Sequence, residues 1–327
     1  MHETPFRVLT SSGKSLFAIQ WLPDTDVPLR GAVQIAHGMA EHCLRYREFA
    51  AALTASGFAV YAWDHPGHGQ SIDADGPIGH FADADGWNLV IDGALQVNRE
   101  IGVRHPGVPR ILFGHSMGAF IARHYALRHA DTLSGLVISA TGVRLGAVAK
   151  IARAIARFDA RRIGPRAPSK LMAALSFGSF NLKFFPARTR SDWLSRDSNE
   201  VDRYIADPLC GFTCSAQFWV DQLGGIVELE ALERRGVDIP WHLPALMLAG
   251  TRDPVSQGGR GIEQLAECYR GVGAPDVQTQ FYSQGRHEML NEINRREVHA
   301  DIARWLTQRF EPVSVMRSAS EPATLSS

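Results

Sequence analysis

The run ILFGHSMGAF, residues 111–120, sets Ser116 between Gly114 and Gly118, after an apolar segment and before the helical pattern AFIARHYALRH. A serine hydroxyl is a weak nucleophile until a neighbouring base takes its proton. A strand–turn–helix setting of the form G-x-S-x-G supplies the first requirement, a sharp, strained turn that exposes the hydroxyl. It also places the Met117 N–H at a helix N-terminus, where it can stabilise an oxyanion. The same five residues would suit a glycine-rich helix start with a capping serine. The strand before them and the helix after them favour the nucleophile.

A nucleophile of this kind needs an acid and then a histidine later in the chain, each at the carboxyl end of a strand. PALMLAG-TRDP places Asp253 there, ahead of a strand-stopping proline, and VQTQFYS-QGRHE places His287 on a loop before the last helical pattern. An Asp-Pro turn and a surface histidine would be the ordinary explanations singly, but three coincident placements favour a triad. The second oxyanion donor falls on the loop AHGMAEH, with the Met39 N–H as donor and Gly38 allowing the backbone to turn. His37, Glu41 and His42 on that loop lack HExxH spacing and an evident third ligand, so no metal is expected and the histidines are read as bracing. Asp64, His65 and His68 of DHPGHGQS are read the same way, as a structural βα loop. No cofactor is expected.

The elements that must hold these residues follow from the hydrophobic pattern. FRVLT and SLFAIQW flank SSGK as an opening hairpin, and AVQIAHG, FAVYAWD, RILFGHS, LSGLVISA, PALMLAG and VQTQFYS read as strands. Helical patterns lie at 46–56, 87–104, 261–269 and 295–309. The expected class is α/β, a mostly parallel central sheet with helices on both faces. With 34 basic and 34 acidic residues among 327, the neutral balance gives no support to nucleic-acid binding. The first residues lack a signal-peptide layout and no apolar run is long enough to span a bilayer, so a cytoplasmic protein is expected. Cys43, Cys210, Cys214 and Cys268 show no paired spacing and read as free thiols.

HGMAEH, DHPGHGQS, GHSMG, GTRDP and GRHEMLNE together resemble the monoglyceride lipase and lysophospholipase branch of the α/β-hydrolase superfamily, and YIADPLCGFTCSAQFW resembles its bacterial lysophospholipases. The resemblance spans about residues 5–310, weakest over the middle segment. It implies an α/β-hydrolase fold, Ser116, Asp253 and His287 as the triad, and the Met39 and Met117 amides as oxyanion hole. Ala119 departs from a third glycine common in relatives, beyond the elbow. The chain then divides into a core of 1–140 and 240–311, a helical cap insertion of 141–239 and a disordered tail of 312–327.

The insertion is basic: between Arg144 and Arg190 stand eleven Lys or Arg against one acid, Asp159. In its first helix Val148, Ile151, Ile155 and Phe158 fall within about 80° of arc, opposite Lys150, Arg153, Arg157 and Arg161. That stripe either packs on the core with the basic face solvated, the favoured reading, or touches an anionic membrane peripherally. The expected activity is hydrolysis of single-chain acyl esters, monoacylglycerol or lysophospholipid, through an acyl-enzyme. A short-chain carboxylesterase, an acyltransferase, a non-catalytic module binding a hydrophobic ligand and a membrane-binding module are the alternatives.

Overall fold

The computed structural model describes residues 1–142, 144–236 and 242–312. In chain order its regular elements are β1 (His2–Leu9), β2 (Ser15–Leu22), β3 (Gly31–Ala36), α1 (Arg47–Ala55), β4 (Phe58–Trp63), α2 (Gly86–Arg104), β5 (Arg110–His115), α3 (Met117–His129) and β6 (Gly135–Ser139). There follow α4 (Ala147–Ile163), α5 (Lys170–Phe177), α6 (Ser198–Ala206), α7 (Ala216–Arg235), β7 (Ala245–Gly250), α8 (Arg260–Gly271), β8 (Val277–Tyr282) and α9 (Arg295–Thr307). The expected tail lies outside the described residues from 313 onward.

The strands form one sheet in the order β1-β2-β4-β3-β5-β6-β7-β8. The opening hairpin is antiparallel, β2 pairs antiparallel with β4, and every later pairing is parallel. β3, β4, β5, β6 and β7 are almost wholly buried, which is why they read as unbroken apolar runs. β8, at the edge, alternates exposed and half-buried residues instead. One face of the sheet is covered by α1 and α9, through Phe49, Leu53, Ile302 and Leu306. The other carries α2, α3 and α8, with Val90, Val97, Ile121, Tyr125 and Leu265. No described helix is long and apolar enough to cross a membrane.

Between β6 and β7 the described residues form helices and no strand. α7 is anchored in the main core, where Phe218, Trp219 and Leu223 join the cluster beneath it. α4 packs on α7. Here the favoured expectation holds only in part: Ile155 of the α4 stripe packs against the main core, but the rest of the stripe stays largely exposed. Val148 and Ile151 are 61 % exposed and Phe158 64 %, while Ala149 and Ala156 are wholly buried. Small side chains let the two helices approach closely, so α4 meets α7 through its alanines, while Val148, Ile151 and Ile155 line an apolar cavity.

Candidate active site

Ser116 connects β5 to α3 with φ 54° and ψ −114°, a backbone conformation that costs a non-glycine residue of order 1–3 kcal/mol. The surrounding chain enforces it. A Cβ at Gly114 would overlap the Gly118 carbonyl, and a Cβ at Gly118 would overlap the Ala36 carbonyl of β3. Glycine at both positions therefore lets the helix start close enough to the neighbouring strand to force the turn. The Ser116 N–H donates to the Ser139 carbonyl at 3.0 Å, which pins the turn to β6.

The structure brings the three expected residues together. His287, between β8 and α9, places Nε2 2.9 Å from Ser116 Oγ and Nδ1 2.9 Å from Asp253 Oδ1. Asp253 follows β7, wholly buried. Its oxygens accept from the Val255 N–H at 2.9 Å and the Ser256 N–H at 3.2 Å. Burial works against its charge, but His287 and these donors outweigh burial and hold its pKa below the usual carboxylate value. The backbone of the His287 loop is held from the segment before α6. The His287 N–H donates to the Trp193 carbonyl at 3.3 Å, and the Glu288 N–H to the Leu194 carbonyl at 2.8 Å.

Met117 opens α3, so its N–H is among the first of a helix and has no acceptor within it. Met39 lies on the facing loop, where a Cβ on Gly38 would stand 3.5 Å from Ser116 Cβ. A Cβ on Gly38 would also stand 2.7 Å from Glu41 Oε1, so glycine is needed for that contact rather than for a left-handed turn, which falls on Ala40 at φ 53°. The loop is braced as expected. His37 accepts from the His65 N–H at 3.1 Å through Nε2, so its Nδ1 carries the proton and donates to the Gly38 carbonyl at 2.8 Å. Burial drives the pKa of His65 down to about 3 and of His68 to about 4. Burial likewise lowers that of His37, so all three are neutral supports. Asp64 accepts the Cys43 N–H at 2.8 Å and the Gln70 N–H at 2.7 Å, tying the two loops together.

Sequence reasoning missed one part of this machinery. Glu41 accepts from the Gly38 N–H at 2.5 Å, from Tyr46 Oη at 2.9 Å and from Arg45 at 2.7 Å. Arg45 in turn donates twice to Glu288, the residue after His287, at 2.7 Å each. A buried carboxylate–guanidinium–carboxylate chain thus links the Met39 loop to the His287 loop. Only the i,i+4 spacing of Glu41 and Arg45 hinted at it.

The model of the family described as serine aminopeptidase, S33, matches residues 27–294. A monoacylglycerol lipase of Mycolicibacterium smegmatis is 30 % identical over 89 % of this chain and 92 % of its own. The monoglyceride lipase of Mus musculus is 28 % identical over 93 % of this chain and 90 % of its own. The chain belongs to this family, the α/β-hydrolases, in the monoglyceride lipase branch. As a member of that branch it is a carboxylester hydrolase. Among solved structures, a carboxyl esterase from Bacillus coagulans in complex with glycerol superposes with a TM-score of 0.84 at 26 % identity, covering 94 % of this chain and 99 % of its own.

Two cavities of this α/β-hydrolase meet at Ser116. The larger, about 510 Å³, is apolar and runs beneath α4 and α5, with Phe120, Ile155, Met172, Leu223 and Ile226 in its walls. The smaller, about 190 Å³, has Glu41, Arg190, Ser191, Tyr204, Thr213 and His287 in its lining and is more polar. Ser116, Met39, Phe177, Trp193 and Trp219 belong to both.

Proposed function

We propose that this hydrolase cleaves monoacylglycerol to fatty acid and glycerol through an acyl-enzyme on Ser116. One observation carries the reading: the nucleophile lies where a large apolar chamber meets a smaller, more polar one, the division a single-chain acyl ester of a small polyol requires. The names of the relatives agree with it. In this reading residues 141–239 form the cap over a core of 1–140 and 240–311.

His287 takes the Ser116 proton as Oγ attacks the ester carbonyl, and Asp253 holds the imidazole in the tautomer that accepts at Nε2. The developing oxyanion is met by the N–H groups of Met39 and Met117. The imidazolium then donates to the departing alcohol in the polar chamber, and water activated by His287 releases the acid. The elbow glycines, Gly114 and Gly118, contribute by forcing the geometry of Ser116. No step calls for a cofactor.

A peptidase acting on a free amino terminus would need a carboxylate available to the substrate ammonium. Glu41 and Glu288, the carboxylates lining the polar cavity, are already taken by Arg45. A second substrate reading has an observation of its own. Arg190 lines the polar chamber and has no ion-pair partner among the described residues, so it would suit the phosphate of a lysophospholipid.

The exposed Val148, Ile151, Phe158, Leu175, Leu182 and Phe185 sit in the basic segment, and Val148, Ile151 and Leu175 also line the apolar cavity. We take this surface as the one that meets an anionic lipid layer peripherally, so that an acyl chain passes from bilayer to cavity without crossing water.

The deciding experiment measures fatty-acid release from 1-monoacylglycerol, lysophosphatidylcholine and a short p-nitrophenyl ester, beside Ser116→Ala. Preference for the monoacylglycerol is expected. Preference for the lysophospholipid would select the Arg190 reading, and turnover of the short ester alone would remove the lipid assignment.

A further inference from the structure

His42 ends the loop that carries Met39, and its side chain turns away from Ser116 toward the segment after α6. Its Nε2 lies 2.9 Å from Oδ2 of Asp207, which caps the end of that helix. Asp207 begins a tight turn in which the Cys210 N–H donates back to its carbonyl at 3.0 Å, and this brings the Cys210 side chain alongside the carboxylate. The ligand atoms of His42, Asp207 and Cys210 all lie within 4.8 Å of one another. His42 and Cys210 are buried and Asp207 is half-buried.

We propose that His42, Asp207 and Cys210 form a site for a borderline-soft divalent cation of the zinc class, tying the Met39 loop to the helical insertion. One imidazole, one carboxylate and one thiolate make a donor set that suits zinc and excludes preference for magnesium or calcium, which take oxygen ligands. Bond lengths of about 2.0 Å to N and O and about 2.3 Å to S put tetrahedral ligand atoms about 3.3–3.5 Å apart. The His42–Asp207 pair must therefore open by a few tenths of an ångström and the sulfur move in. The other carboxylate oxygen, Oδ1, accepts the Leu209 N–H at 2.8 Å, which fixes the carboxylate plane and leaves Oδ2 to the ion.

The surroundings tolerate the added charge. Arg45 is the nearby cation, and its guanidinium is consumed by Glu41 and Glu288 and lies over the Tyr204 ring at 5.0 Å. Burial raises the pKa of the Cys210 thiol, so the metal displaces a proton, which leaves to solvent as the S–metal bond forms. Three protein ligands leave a fourth position for water. None of the three lines either cavity at Ser116. The ion is thus a strut rather than a participant in ester cleavage. The same junction is already stitched by the Gly211 N–H and Tyr204 Oη, which donate to the Ala40 carbonyl at 2.9 and 3.2 Å.

The test uses the full chain, freed of metal by chelator and then titrated with Co²⁺ as a spectroscopic probe and Zn²⁺ as competitor. Expected are one Co²⁺ per chain, a thiolate-to-cobalt charge-transfer band, and its loss on adding Zn²⁺. Cys210→Ser removes the band and Cys268→Ser, which alters a thiol remote from the site, keeps it. Asp207→Asn, which preserves shape, weakens Zn²⁺ binding by about tenfold or more. At one hundred times its Kd, Zn²⁺ raises the wild-type thermal midpoint by about 4 °C and leaves that of Cys210→Ser unmoved. Absence of the band in the wild type, or a band that survives Cys210→Ser, overturns the site. Neither result touches the ester-hydrolase reading, because binding and unfolding are read without substrate.

Discussion

Arg45 grips Glu288 through two hydrogen bonds of 2.7 Å, and so joins the loop beside Met39 to the residue that follows His287. Both side chains are buried, at 11 % and 7 % exposure, and Glu41 at 4 % completes the chain. Arg45→Met would leave two carboxylates without their cation. Removing one partner of a buried ion pair costs about 3–5 kcal/mol, because the remaining charge is neither solvated nor compensated. Urea unfolding should show a loss of that order, with kcat/KM falling because the Met39 and His287 loops lose their tie. A variant within about 1 kcal/mol of wild type would mean that the chain is not under this electrostatic load.

Ser116→Ala is expected to lower kcat by about 10⁴-fold or more, since base and orienting acid have no nucleophile to act on. The fold should be unaffected: alanine keeps the positive φ that the packing of Gly114 and Gly118 imposes. A fluorophosphonate probe should label the wild type at Ser116 and miss the variant. Labelling at another residue would displace Ser116 from the proposed role.

Much of this site was legible in the sequence because Ser116, Asp253 and His287 each follow a buried or edge strand that ends in a recognisable breaker. The strands themselves read plainly, since full burial makes β5 and β7 continuous apolar runs and edge placement makes β8 alternate. Arg45–Glu288 was illegible for the opposite reason: its partners lie 243 residues apart, and an i,i+4 Glu41–Arg45 pair looks like any solvated helix pair. His42 was set aside as a ligand because Asp207 and Cys210 reach it only through the tertiary fold. Only Ile155 of the α4 stripe reaches the core, because Ala149 and Ala156, which carry no hydrophobic signal, make the contact with α7.

The buried histidines set a pH limit on stability. In the unfolded chain His68 titrates near its ordinary value of about 6.5, whereas burial among Phe81, Phe212 and Phe218 lowers its folded value to about 4. The unfolded state therefore binds more protons between these values. The contribution is fully present above about pH 6.5 and is lost as pH falls toward 4, at up to about 1.4 kcal/mol per pH unit. His65, with a folded value of about 3, acts in the same direction over a wider window. His68→Asn retains a donor for the Pro66 carbonyl, which His68 Nδ1 meets at 3.0 Å, and removes the titration. The slope of unfolding free energy against pH between 5 and 6 should then flatten by about one proton's worth; an unchanged slope would show that His68 does not stay neutral.

The exposed apolar side chains of the basic segment give the last expectation. Phe158 is 64 % exposed, Leu182 72 % and Phe185 86 %, and none of them lines either cavity at Ser116. Their cost in water is recovered if they enter the boundary of an anionic bilayer, where burying one such side chain is worth about 1.5–3 kcal/mol. The triple variant Phe158→Asp, Leu182→Asp, Phe185→Asp should lose co-sedimentation with vesicles containing phosphatidylserine and hydrolyse bilayer-borne monoacylglycerol at least about tenfold more slowly. Hydrolysis of a water-soluble short ester should be unchanged, since that substrate reaches Ser116 without a membrane. Equal loss on both substrates would assign these residues to the catalytic fold instead of a lipid-facing surface.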